Sequence, residues 1–155
     1  MPGLVQEIMT PPDRVDTDLL VAFFQPEAVA PDGPAGLIDL RLDGVLVRHL
    51  GDGGMAGQSL LIRPRRRLAC RWVLLLADVG ERDPDDRIEK ALQTARESGF
   101  RSLVLAPPME RNVKPAAWLE ALQRLAGQGG YEDMECLITF NSTYMHEHNA
   151  VILNT

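Results

Sequence analysis

The stretch Trp72-Val73-Leu74-Leu75-Leu76-Ala77 is the clearest indication of the fold class of this chain. It is short, continuously apolar and bounded by breakers, and Leu103-Val104-Leu105-Ala106 is a second run of the same kind. Such runs are typical of parallel strands that are buried on both faces of an α/β sheet. The intervening segment predicts a helix, with Asp83 as its cap, Pro84 at its first position and Gly99 after its end. Strand, helix and strand over about 35 residues predict a βαβ unit.

The rest of the chain continues the same alternation. A second helix is predicted to begin at Pro115 and to end before Gly127. Further strands are predicted at Leu4 to Ile8 on a sheet edge, Asp18 to Phe24, Ser59 to Ile62, Met134 to Phe140 and Ala150 to Leu153. The predicted fold class is therefore α/β: three α/β/α layers around a mixed, mostly parallel sheet. We expect residues 1–155 to form one domain.

One stretch, Leu37 to Val47, fits two structures. Its residues alternate, and Asp43-Gly44 is a strong turn signal, so the local pattern favours a β-hairpin. The same residues also place Ile38, Leu42 and Leu46 at helical spacing. The local pattern leaves both structures open, with a slight preference for the hairpin.

Composition excludes several classes of protein. The chain has 155 residues and a net charge of -6, which argues against general binding to nucleic acids or anionic membranes. No apolar stretch approaches the roughly 18 residues of a membrane helix, and the first residues lack the features of a secretory signal. Two cysteines, Cys70 and Cys136, are too few for a disulfide framework. We expect a cytoplasmic protein.

The landmarks taken in order resemble a known family. A strand ending at Phe24 precedes a Pro/Gly loop, and Leu50-Gly51-Asp52-Gly53-Gly54-Met55-Ala56-Gly57-Gln58-Ser59-Leu60-Leu61 precedes the strand Trp72 to Ala77, with Gly80 after it. Over about residues 15 to 128 the pattern resembles the N-terminal domain of the leucyl aminopeptidases, a macro-domain-like α/β/α domain. The resemblance implies that Pro34 to Leu50 is helical, in two pieces broken at Asp43-Gly44. We adopt that expectation in place of the hairpin.

The resemblance implies a protein without peptidase activity. In that family the chemistry belongs to a separate C-terminal domain that holds two metal ions, and its Asn-Thr-Asp-Ala-Glu-Gly-Arg signature does not occur here. We therefore expect no catalytic residue, metal or cofactor. The function implied first is protein association, with a second copy or with another protein.

The alternative function is a small-ligand or nucleotide-binding module. Macro domains bind ADP-ribose, and open α/β sheets bind ligands beyond the carboxyl ends of their strands. The candidate ligand-binding residues there are Asp78, Gly80, Asn141, Ser142 and Thr143. However, the Asn-Ala-Ala-Asn and Ser-Thr-Gly-Ile-Tyr/Phe-Gly segments of macro domains do not occur. The segment 141–143 also lacks the glycines that let a backbone approach a pyrophosphate.

A basic cluster, Arg63, Arg65, Arg66 and Arg67, joins two predicted adjacent strands. Its commonest explanation is a solvated hairpin tip. The functional alternative is contact with an anion or an acidic partner, because the arginine fork matches phosphate and carboxylate geometry. The leucyl aminopeptidase resemblance also implies a link to DNA binding, against which the acidic net charge argues.

Three other patterns are weaker candidates for chemistry. Cys70 lies between Arg67 and Arg71, whose charges would favour a thiolate. His146-Glu147-His148 offers two imidazoles for a metal but needs a third ligand, and His49 is the only other histidine. The glycine-rich segment 51–57 fits neither a phosphate-loop nor a dinucleotide-binding motif. It is therefore interpreted as a connector.

Overall fold

The computed structural model describes residues 5–25, 33–51, 59–77, 83–108 and 114–140. These residues contain six β-strands and four α-helices. The strands are β1 Val5–Ile8, β2 Leu19–Phe24, β3 Ser59–Ile62, β4 Trp72–Ala77, β5 Ser102–Ala106 and β6 Glu135–Thr139. The α-helices are α1 Gly33–Arg41, α2 Val45–Gly51, α3 Pro84–Glu97 and α4 Pro115–Ala126, and a 3-10 turn spans Pro12–Arg14.

The strands form one sheet in the order β1-β6-β5-β2-β4-β3. All neighbouring strands run parallel except β3, which is antiparallel to β4. The mixed, mostly parallel sheet is therefore confirmed, and β1 lies at an edge as expected. The predicted strand Ala150 to Leu153 and residues 52–58 of the glycine-rich region lie outside the described residues.

Helices cover both faces of the sheet, which explains why β2 is apolar at every position. Leu19, Val21 and Phe23 pack in the core under α3 and α4, whereas the alternate residues of β2 pack in the core under α1. All six residues of β2 are buried. A strand covered on both faces gains from an apolar side chain at each position, so its sequence does not alternate. The three-layer arrangement is confirmed.

The helices α3 and α4 begin and pack as their sequences predict. Asp83 and Pro84 stand at the N-cap and first position of α3, although the Asp83 side chain makes no capping hydrogen bond, and Gly99 after its end has a φ of +88°. This left-handed conformation costs glycine little. Trp118 of α4 is fully buried, and its ring meets that of Phe23 edge to face at 5.7 Å.

The stretch that fitted two structures is helical and is broken at Asp43-Gly44, so the expectation adopted from the family resemblance is confirmed and the hairpin that the local pattern slightly favoured is wrong. Asp43 and Gly44 separate α1 from α2, with φ values of +57° and +76°. Ile38, Leu42 and Leu46 lie buried at helical spacing against the sheet. A hairpin would have divided these side chains between two faces, and only the helices bury all of them in one core.

In the part of the chain that the structure describes, no helix combines the length and the apolar composition needed to cross a bilayer.

Candidate functional site

Five parallel strands end along one edge of the sheet, called here the carboxyl edge. Their last residues in spatial order are Ile8, Thr139, Ala106, Phe24 and Ala77. The register places these ends together, because Ile8 pairs with Thr139 and Phe24 pairs with Ala77. Side chains that follow these strands therefore share one end of the molecule.

After neighbouring strands, the chain continues to helices on opposite faces of the sheet. After β2 it continues into α1, which packs on the face of Leu20 and Ala22. After both neighbours of β2, namely β4 and β5, it continues into α3 and α4, which pack on the other face. Such a reversal is the topological switch point at which open α/β sheets form a ligand crevice. The topology thus places a candidate ligand site at the end of β2, near Phe24.

The candidate ligand-binding residues predicted from the sequence come after β4 and β6 in the chain, and the structure does not describe them. Asp78 and Gly80 follow β4, and the segment 141–143 follows β6. All five residues lie outside the described ranges, so their roles stay predictions. The strands β4 and β6 are separated by β2 and β5. Three strand spacings amount to about 14 Å. A ligand that reaches the ends of both β4 and β6 must therefore be elongated.

Buried polar groups that the sequence did not single out support the structure around these strands. Thr139 is buried at the end of β6 and donates a hydrogen bond of 2.8 Å to the Thr10 carbonyl, which fixes the chain after β1. Arg87 in the first turn of α3 is also buried, with its guanidinium 5.9 Å from the centre of the Trp118 ring. An apolar neighbourhood in the sequence does not reveal which polar side chain it encloses, so no sequence signal identified either residue.

The arginine cluster lies at the amino ends of the parallel strands, opposite the carboxyl edge. Its loop joins β3 to β4, which are adjacent antiparallel strands as expected, and Ile62 at its start pairs with Val73 at the beginning of β4. The loop is therefore at the amino end of β4. About five residue rises, or roughly 17 Å, separate it from the carboxyl edge. A small ligand at the carboxyl edge therefore cannot contact these arginines.

A surface cavity of about 440 Å³ lies between this loop and α2, and we call it the arginine groove. Leu42, Val45 and Ile62 give it an apolar floor. The arginines that line it are Arg48, Arg63, Arg65, Arg66 and Arg67.

The arginines of the groove differ in their contacts. Arg67 forms an ion pair with Asp43, and the guanidinium of Arg63 lies 5.8 Å from the centre of the Trp72 ring. Arg65 and Arg66 are exposed and form no ion pair with any residue that the structure describes. Two guanidinium groups of the groove are therefore available to an anionic partner.

Cys70, a weak candidate for a reactive thiol in the sequence, is not activated by the neighbouring arginines. Cys70 is 2% exposed, and burial raises the pKa of its thiol to about 12. The neighbouring cations contact carboxylates instead: Arg71 lies 2.6 Å from Asp18, and Arg67 pairs with Asp43. Cys136 occupies the core position that the sequence predicted, and burial, with a smaller effect of the Glu135 charge, raises its thiol pKa to about 12. Both thiols are therefore protonated at neutral pH, whereas the thiolate is the nucleophilic form.

Comparisons with known proteins identify the fold. No protein-family model and no curated protein matches the sequence. Among solved structures, a mutant macrodomain of Oceanobacillus iheyensis is similar over 99% of this chain and 95% of that chain, with 12% identity and a TM-score of 0.67. The macrodomain of Mycobacterium tuberculosis DarG is similar over 88% and 97% respectively, with 16% identity and a TM-score of 0.64. The chain has a macrodomain-like fold.

A leucine aminopeptidase has a similar structure too, but over a limited part of its length. A mutant of the tomato enzyme matches 88% of this chain and 32% of its own, with 14% identity and a TM-score of 0.63. Identities this low show the fold alone. The macro-domain-like character expected from the sequence is confirmed, whereas the specific kinship with leucyl aminopeptidases stays a prediction.

The described part of this macrodomain-like chain contains no group of histidine, cysteine or acidic side chains that could hold a metal ion. The candidate ligands His146 and His148 lie outside the described residues, as does the side chain of His49.

Proposed function

We propose that this macrodomain-like chain is a small-ligand-binding module whose site is the carboxyl edge. The observation that carries the proposal is the reversal at β2, since the helices after both of its neighbours pack on the opposite face from α1. Sheets with this reversal bind ligands outside the strand ends at that point. The likeness to solved macrodomains over nearly all of their length supports the same position.

The proposed ligand is a nucleotide of the ADP-ribose class. A molecule with a base, a pyrophosphate and two sugars is elongated enough to extend between the ends of β4 and β6, about 14 Å apart. In this proposal the Asp78 carboxylate accepts hydrogen bonds from sugar hydroxyls or a base. Gly80 allows close approach of the backbone. Asn141, Ser142 and Thr143 donate hydrogen bonds to phosphate oxygens.

Calorimetric titration and thermal unfolding with ADP-ribose, ADP and ribose 5-phosphate test this proposal. Ligand at 100 times its dissociation constant is expected to raise the free energy of unfolding by about 2.7 kcal/mol. We expect ADP-ribose to bind most tightly, because only this ligand fills the whole distance between the two groups.

Matched variants locate the binding site. Asp78→Ala and Asn141→Ala should each weaken ADP-ribose binding about tenfold, the effect of losing a hydrogen bond worth about 1.4 kcal/mol. Asp133→Ala removes the same charge from an exposed turn elsewhere and should leave affinity unchanged. Absence of a thermal shift with every nucleotide, or an equal loss in the Asp133 variant, would refute the proposal.

A further inference from the structure

The arginine groove combines an apolar floor with a rim of arginines, and it is separate from the proposed ligand site. Its floor is formed by Leu42, Val45 and Ile62, which belong to the core cluster under α1 or pack against it. Apolar side chains that continue outward from a core offer an incoming side chain a rigid, partly desolvated contact. The floor therefore favours a ligand that has an apolar group as well as charge.

The rim of the groove is strongly basic in a protein that is acidic as a whole. Five arginines line it, whereas the net charge of the chain is -6. Within the described ranges, Asp43 is the carboxylate that pairs with one of these arginines, Arg67. The groove thus keeps an excess of positive charge, which attracts carboxylates and repels the cationic surfaces of other proteins.

The backbone conformation at Arg65 is an independent observation that points to a role for this residue beyond folding. The amide of Arg67 donates to the Pro64 carbonyl at 3.2 Å, so residues 64–67 form a tight turn. Arg65 occupies its second position with a φ of +59°. Glycine adopts this conformation without cost, whereas an L side chain there is strained. Strained backbone conformations cluster at functional sites, so the strain at Arg65 supports a binding role for this loop.

We propose that the arginine groove binds an extended acidic peptide segment of a partner protein. An apolar side chain of that segment contacts Leu42, Val45 and Ile62, and flanking carboxylates pair with Arg65 and Arg66. The apolar floor favours a peptide over a nucleic acid, which requires a broad basic surface for its phosphates. The groove lies roughly 17 Å from the carboxyl edge, so this activity is separate from nucleotide binding.

Fluorescence anisotropy with a short labelled peptide of glutamates around one leucine tests the proposal on the full chain. At low salt we expect saturable binding that weakens as salt rises, because exposed charges are screened. Arg65→Ala/Arg66→Ala should weaken binding about tenfold, the sum of two exposed charge contacts. Lys90→Ala/Arg101→Ala, which removes the same charge elsewhere, should leave it unchanged.

Further probes distinguish the chemistry. Replacing the leucine by glutamine should weaken binding, and replacing the glutamates by glutamines should abolish it. Arg65→Gly should weaken peptide binding while keeping or raising the melting temperature, since glycine relieves the backbone strain. Four results would each overturn the proposal: no peptide binding, equal binding of the uncharged peptide, equal loss in the control variant, or tighter binding of a single-stranded oligonucleotide.

Discussion

The pKa of the Cys70 thiol depends more on its burial than on the arginines near it in the sequence. The thiol is buried against the core, while the guanidinium groups of Arg67 and Arg71 lie against carboxylates at the surface. Removing a thiolate from water raises the pKa, and nearby cations lower it only if they approach the sulfur. Here burial is the larger effect, and the thiol pKa rises to about 12.

Burial of the thiols predicts a dependence of stability on pH. The pKa of each cysteine is about 12 in the folded protein against an ordinary value of 9.0. Above pH 9 the unfolded chain loses these protons first, so the contribution of the neutral thiols is complete below pH 9 and is lost as pH rises towards 12. Urea unfolding between pH 8 and pH 10.5 should show a steeper loss of stability in the native protein than in Cys70→Ala/Cys136→Ala. Equal slopes in the two proteins would contradict this expectation.

At the scale of elements, one side chain joins the two helices that the sequence left ambiguous. The Asp39 carboxylate of α1 is buried and accepts a hydrogen bond of 2.6 Å from the backbone amide of Leu46 in α2. The first amides of a helix have no partner within it, so a carboxylate from the preceding helix stabilises the break at Asp43 and Gly44.

Removal of this contact should destabilise the fold measurably. Asp39→Ala leaves a buried amide without its acceptor and should lower the free energy of unfolding by about 1 to 2 kcal/mol. Asp39→Asn keeps an acceptor oxygen and should cost less. Urea unfolding measures both variants, with the exposed Asp133→Ala as the matched control within about 0.5 kcal/mol of the native protein. An Asp39→Ala variant as stable as that control would show that the contact contributes nothing.

At the scale of the whole molecule, the sheet separates two surfaces of different chemistry. The proposed nucleotide site extends along the carboxyl edge from the end of β4 to the end of β6, and the arginine groove lies at the amino end of β4. The strands between them form a close-packed core. Such a core transmits coupling only where it has two alternative arrangements.

The two proposed ligands should therefore bind independently. Saturation with ADP-ribose should change the dissociation constant of the glutamate–leucine peptide by less than about twofold, since no coupling free energy links the sites. Anisotropy titrations with and without the nucleotide measure this ratio. Mutual exclusion of the two ligands would show that they share one site.

Elements that are marked by nearby residues in the chain could be predicted from the sequence alone. Continuous apolar runs identified β4 and β5, and capping residues with a following glycine identified α3, because periodicity and caps depend on residues that lie close together in the chain. The mixed sheet with helices on both faces followed from this alternation. The carboxyl ends of the strands could likewise be chosen as a candidate site from element order alone.

The order of the strands and the packing of the helices could be read only from the tertiary structure. It placed β2 between β4 and β5 and made 33–51 helical where the local pattern slightly favoured a hairpin. It also buried Cys70 and put the arginine cluster at the amino end of β4, away from the carboxyl edge. Each outcome depends on residues far apart in the chain, through the burial of shared apolar surface and the pairing of distant charges. Local periodicity does not encode these contacts, because they form only when the layers pack.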